Sequence, residues 1–177
     1  IYMRHHSQKE QIEGLMVEFA LLVKKPVKVY FTGGATAVMF GIRESTIDVD
    51  MKFEPDEMQM YRAIRTIKEK LDMNIELASP DNFIPPLPNW RERSLFIVKS
   101  GVIEFFHYDL YSQIISKVQR GWKQDLTDAA GFLKRDIDRK KVLILFNKIK
   151  NDFIKYPAAD AEKLERKLKE FLHEKQD

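Results

Sequence analysis

Apolar residues recur at helical spacing near the start of the chain. Ile12, Leu15, Met16, Phe19, Leu22 and Val23 predict an amphipathic helix over about 8–24, ended by Lys24, Lys25 and Pro26. Val27 to Thr32 (VKVYFT) is β-branched and aromatic and predicts a strand. Gly33-Gly34 breaks it, and a short apolar helix, Ala35 to Phe40, runs to Gly41. Over Thr46 to Phe53 (TIDVDMKF) the pattern switches to alternation. Ile47, Val49, Met51 and Phe53 face one way, and Thr46, Asp48, Asp50 and Lys52 face the other. Pro55 suits the first turn of a helix, with Asp56 and Glu57 where the helix dipole favours acids. Met60, Tyr61, Ile64, Ile67 and Leu71 form that helix's inward stripe.

Asn74 to Ala78 reads as a short strand. Residues 79–93 (SPDNFIPPLPNWRER) hold four prolines, which argues against both helix and central strand. A loop of that length inside a compact domain is often functional. Leu95 to Val98 and Val102 to Phe106 flank Ser100-Gly101 and predict a β-hairpin. From Asp109 onward the pattern is helical, broken near Gly121 and Asp136 and at Pro157. Val142, Leu145, Phe146, Ile149 and Phe153 make one apolar stripe, and Leu164, Leu168, Phe171 and Leu172 another. The expected layout is a mixed α/β core over residues 1–108 and a helical bundle over 109–177 packed on it.

Composition narrows the classes. In 177 residues, 44% hydrophobic and 32% charged positions describe a globular chain rather than a disordered or collagen-like one. No apolar run approaches the ~20 residues of a membrane span, so no membrane partner is expected. The absence of cysteine excludes a thiolate nucleophile, a cysteine zinc site and a disulfide-built domain, and suits a reducing cytoplasm. Charge is uneven: residues 139–177 carry a balance of +4, against −1 for residues 1–138. A basic helical tail can touch nucleic acid, and solvated faces rich in Lys and Glu look the same.

Asp48 and Asp50 lie two apart on a strand, so both carboxylates leave one face, with their Cβ atoms about 6–7 Å apart. Between apolar neighbours such a pair repels and is costly to desolvate unless a cation joins it. Mg²⁺ (or Mn²⁺) suits it, taking one or two carboxylates and completing its shell with water and substrate phosphates. A solvated strand face would carry the same two acids. Upstream, Thr32-Gly33-Gly34 stands at a strand-to-helix junction, where glycines let backbone N–H groups approach an anion. A third acid, Glu104, lies in the apolar strand VIEFF. Phosphate cradle, acid pair and third acid are the parts of two-metal phosphoryl or nucleotidyl transfer.

The run FTGGATAVMFGIRESTIDVDMKF resembles the signature of polymerase-β-type minimal nucleotidyltransferases, a Gly-Gly or Gly-Ser turn followed by a hydrophobic-flanked D-x-D. FFHYDLYSQIISKVQRGWKQDLTDAAGFL resembles the second half of nucleotidyltransferase-like proteins related to abortive-infection toxins. The proline segment and the tail YPAAD look like an uncharacterised branch of that group.

The resemblance implies an α/β (α+β) nucleotidyltransferase fold, a mixed β-sheet with flanking helices plus a C-terminal helical bundle. It implies NTP as substrate, Mg²⁺ as cofactor, and an acceptor hydroxyl on a protein partner or an RNA 3′ end, in a toxin–antitoxin setting. Gly33 and Gly34 would contact the triphosphate, and Asp48 and Asp50 would bind metal. Lys117 and Asp125 match the lysine and aspartate that the toxin relatives need for activity, with Arg120 and Asp128 as neighbours; a solvated lysine and a helix cap are the competing readings. Thr32, Arg43 and Thr46 are expected as phosphate or metal-shell contacts.

The family's third carboxylate is usually an Asp. Here Glu104 is the best match, and Asp109, placed as a helix N-cap, is its competitor. Glu104 shares a strand face with Phe106, opposite Ile103 and Phe105, and that pattern leaves its reach open. His5-His6 falls in an expected frayed terminus. His107 invites acid–base or packing roles, and Trp90 and Trp122, with Arg91, Arg93 and Arg120, invite base stacking or packing. The alternative to an active transferase is an idle nucleotide- or partner-binding module of the same fold. A third reading, a nucleic-acid adaptor using the basic tail, requires affinity that falls steeply with salt.

Overall fold

VKVYFT forms β1 (Val27–Thr32), the middle strand of a five-stranded sheet in a computed structural model that describes residues 5–174. β2 (Asp48–Glu54) pairs antiparallel to one side of β1, and β5 (Ile103–His107) pairs parallel to the other. β3 (Asn74–Leu77) extends the sheet beyond β2, and β4 (Leu95–Ser100) closes the hairpin onto β5, giving the order β3-β2-β1-β5-β4. The sheet is therefore mixed, as expected for a mixed α/β fold.

The chain gathers into two compact units: residues 1–78 with 94–107, and residues 79–93 with 108–177. In the first, helices α1 (Lys9–Leu22) and α3 (Met58–Leu71) bury Ile12, Leu15, Phe19, Met60 and Ile67 against one sheet face. That face supplies Val29, Phe31, Val49, Met51 and Phe105, all without solvent exposure. Each such side chain is worth about 1.5–3 kcal/mol of burial. The alternation read from TIDVDMKF is realised from Asp48 onward: Val49, Met51 and Phe53 are buried, and Asp48, Asp50 and Lys52 are half-buried on the opposite face. Ahead of the strand, Thr46, expected on the polar face, is buried, and Ile47, expected inward, is half-buried. A short α2 (Gly33–Met39) follows β1 directly.

The second unit is helical. Its elements are α4 (Trp90–Arg93), α5 (Leu110–Arg120), α6 (Lys123–Leu133), α7 (Arg139–Ile149) and α8 (Ala161–Glu174), with 3-10 turns at Pro80–Asn82 and Lys150–Lys155. Asp109 caps α5 by accepting from the backbone N–H groups of Tyr111 and Ser112, and Gly121 ends it in the left-handed conformation that a side chain resists. Among the described residues, no helix is long and apolar enough to cross a membrane.

Several local expectations need correction. Pro55 precedes α3 rather than opening it; Glu57 is the N-cap. Tyr61 is 43% exposed, outside the core stripe. The proline-rich segment, expected as neither helix nor strand, carries a 3-10 turn at Pro80–Asn82 and a short helix at Trp90–Arg93, both placed so that no proline falls in a helix interior. Trp90 stacks on Tyr108 with ring centroids 4.2 Å apart, and Arg93 makes a two-pronged ion pair with Asp109 at 2.8 and 3.1 Å. The first described residues are also held: Ser7 exchanges two backbone hydrogen bonds with Thr46, His5 meets Asp72 and His6 meets Ser45.

Candidate active site

Where β1 passes into α2, Gly33 takes φ +60°, in the region that glycine alone enters without strain. Thr32, the last residue of β1, lies directly opposite Asp50 on β2. A Cβ on Gly33 would stand 3.2 Å from the Asp50 carboxylate oxygen Oδ2, so the acid lies against the turn. Gly34 is more tightly enclosed: a Cβ there would overlap the Thr46 hydroxyl and lie 3.0 Å from Arg43 Nη1. Thr46 is buried, donates its hydroxyl proton to the Asp48 carbonyl at 2.9 Å, and is anchored by its backbone to Ser7. The Thr32 hydroxyl donates to the Ala78 carbonyl.

Gly33, Gly34, Arg43, Thr46, Asp48 and Asp50 thus belong to one corner of the sheet, and Thr32 closes it. The corner combines a backbone turn cleared of side chains, a guanidinium and two half-buried carboxylates. Such a set can accept a phosphate chain together with a divalent cation.

Glu104 does not belong to it. It pairs with Lys28 on β1, whereas Asp50 pairs with Thr32, four residues further along the strand. At about 3.3 Å per residue that is roughly 13 Å, too far for one ion to be shared. Glu104 sits instead in a cross-strand row, opposite Lys28 and Lys99, with Glu54 opposite Lys28 in turn. These four residues line a separate cavity of about 450 Å³ that also includes Pro26 and Pro55. Asp109, the competitor, is committed to its cap and to Arg93.

The acid that the register does place beside Asp50 is Glu76, its partner on β3, which the sequence reading passed over. Among the described residues, no three His, Cys, Asp or Glu side chains converge closely enough to hold a metal ion. Asp48 and Asp50 could supply two carboxylates to an ion, the rest of whose shell would have to come from phosphate oxygens and water.

In the helical unit, Lys117 is not a solvated lysine. It is 5% exposed, and its Nζ lies 2.9 Å from Asp128 and 3.4 Å from Asp125, both buried on α6. Gln124 donates to the other oxygen of Asp128, and Arg120 Nε lies 3.5 Å from Asp125 Oδ2. Burying such charges is tolerated because each has an opposite partner. Asp125 is accordingly a member of a buried ion cluster rather than a helix cap. His107 is buried, with its Nδ1 3.0 Å from the Thr36 hydroxyl and its ring against Phe40. Trp122 is 72% exposed.

Residues 14–175 match the model of a family described as nucleotidyltransferase of unknown function (DUF6036). No curated protein and no solved structure matches the chain. The match spans both the glycine turn with its acids and the lysine–aspartate helices, so the chain belongs to this nucleotidyltransferase family, DUF6036.

Proposed function

We propose that the protein transfers a nucleoside monophosphate from an Mg²⁺-bound NTP to a hydroxyl acceptor, a protein side chain or an RNA 3′ end, as one partner of a toxin–antitoxin pair. In this reading Gly33, Gly34 and Arg43 hold the phosphate chain, while Thr32 and Thr46 keep the turn in shape. Asp48 and Asp50 would hold Mg²⁺ (or Mn²⁺), which when bound would neutralise phosphate charge and lower the barrier to attack. The acceptor oxygen attacks the α-phosphorus, the bond to the β-phosphate oxygen breaks, the hydroxyl proton passes to a base or solvent, and pyrophosphate leaves. Lys117 and Asp125 form a buried ion cluster, and the resemblance to the toxin-related proteins supports a part for this pair in the activity. The carrying observation is Asp50 lying against a turn whose second glycine leaves no room for a Cβ unless Thr46 shifts, in a member of a nucleotidyltransferase family.

One observation favours a second reading. The third acid of the sequence pattern, Glu104, is about four strand residues away from the pair. An idle relative that binds nucleotide without turnover would keep the cradle and lose that acid.

Isothermal titration with each of the four NTPs, with and without Mg²⁺, on wild type and Asp48→Asn tests the site. Mg²⁺-dependent binding that the variant loses at unchanged melting temperature is the expected result. Pyrophosphate release on adding an acceptor then separates transferase from idle module. No binding under any condition would overturn both readings.

A further inference from the structure

Two sequence features remain unused by that reading, the proline segment and the YPAAD tail. Within the helical unit they meet: the Tyr156 hydroxyl donates to the Asp81 backbone carbonyl at 2.8 Å. Around this contact opens a cleft of about 500 Å³ whose walls include Asn82, Phe83, Gln119, Arg120, Lys155 and Tyr156. That is within the range of small-ligand pockets.

The lining has a definite chemistry. Phe83 and Tyr156 supply two aromatic surfaces, and the Arg120 guanidinium lies 4.8 Å from the centre of the Phe83 ring. Arg120 also reaches Asp125 at 3.5 Å, which ties its side chain to the buried cluster. Lys155 has no carboxylate partner among the described residues, so its charge is left to the cleft and to solvent. Asn82 and Gln119 add amides, each able to donate and accept. Asp81 opposes an anion, but its carboxylate already accepts from the Ser79 hydroxyl. Burial, with the Asp81 charge adding, holds the Tyr156 phenol above its ordinary value.

We propose that this cleft binds a nucleoside monophosphate unit, its base against the aromatic surfaces and its phosphate on Lys155 and Arg120. Aromatic faces accept any base, amides read its edge, and cations take the phosphate. The unit can come from a free nucleotide or from the end of an RNA strand. The site shares no residue with the Gly33–Asp50 corner and does not depend on NTP binding there.

The test is an NMR titration of the full chain in EDTA with AMP, GMP, CMP, UMP, orthophosphate and a short RNA oligonucleotide. Saturable binding of at least one mononucleotide without divalent metal is expected, unchanged in Asp48→Asn. Phe83→Leu should weaken it about tenfold while leaving orthophosphate binding intact. Lys155→Ala should weaken both, most at low salt. Tighter binding of the oligonucleotide than of any mononucleotide would assign the strand end, and equal binding the free nucleotide. The proposal is overturned if nothing binds, if Phe83→Leu and Lys155→Ala change nothing, if orthophosphate binds as well as nucleotides, or if Asp48→Asn abolishes the binding.

Discussion

Gly34 shows how much a single residue's missing side chain determines. The space beside it is filled by Thr46, which Ser7 holds by its backbone, and Arg43 stands next to it. An added methyl must displace a buried, doubly anchored threonine. Gly34→Ala should therefore cost about 1–3 kcal/mol of stability by urea unfolding, as overpacked sites do. Gly14, inside α1, has nothing within 4 Å of its would-be Cβ. There alanine only removes backbone freedom, and Gly14→Ala should add about 0.5–1 kcal/mol. The pair of variants separates a glycine demanded by packing from one merely tolerated. An equal effect of both substitutions would mean that Gly34 is not enclosed.

At the scale of elements, α5 and α6 are joined by the Lys117 cluster as well as by apolar packing. Lys117→Met would leave Asp125 and Asp128 buried without the ammonium between them. A loss of about 3–5 kcal/mol is expected in urea unfolding, with Lys117→Arg partly rescuing it. A loss below about 1 kcal/mol, the size expected of a surface pair, would show the cluster to be solvated. This burial was not legible in the sequence. Lys117 lies beside the apolar stripe of its own helix, and the acids that neutralise it come from the next helix.

A second inter-element link is open to pH. Glu165 on α8 meets Lys150 at 2.5 Å and Lys169 at 3.0 Å. The hydrogen bond from Lys150, then that from Lys169, holds its carboxyl below the usual value of 4.5. Its contribution is present above the unfolded-state value near 4.5 and is lost as pH falls through the lower folded-state value. Lys150 is raised above 10.5, chiefly by its hydrogen bond to Glu165, so its share is complete below that value and lost as pH rises past it. Glu165→Gln should flatten both the acid and the alkaline limbs of a melting-temperature profile; unchanged limbs would show the ions to be screened.

Across the whole molecule, what the sequence revealed and what it hid divide by the range of the interaction. Periodicity along β2, the Gly-Gly break after β1 and the Asp109 cap are local patterns, and each is found in place. How far Glu104 lies from Asp50 was not legible because a strand's alternation gives the face of a residue but not its position along the neighbouring strand. It shares a face with Asp50 and sits four residues away; Glu76, on a four-residue strand with little pattern of its own, is the acid the register selects. On the proposed function, a corner with two acids on β2 leaves the rest of an ion's shell to the nucleotide. Metal and nucleotide should then bind as a unit, each weak alone. A ligand that binds only the folded chain stabilises it by about 2.7 kcal/mol at a hundredfold excess over Kd. For a chain of this size that raises Tm by about 5–10 °C. Thermal melting should show this shift with NTP and Mg²⁺ together, little with either alone, and none in Asp48→Asn or Asp50→Asn. Glu104→Gln should retain the full shift and Glu76→Gln should alter its Mg²⁺ dependence, whereas a shift abolished by Glu104→Gln would place the third acid back at the metal.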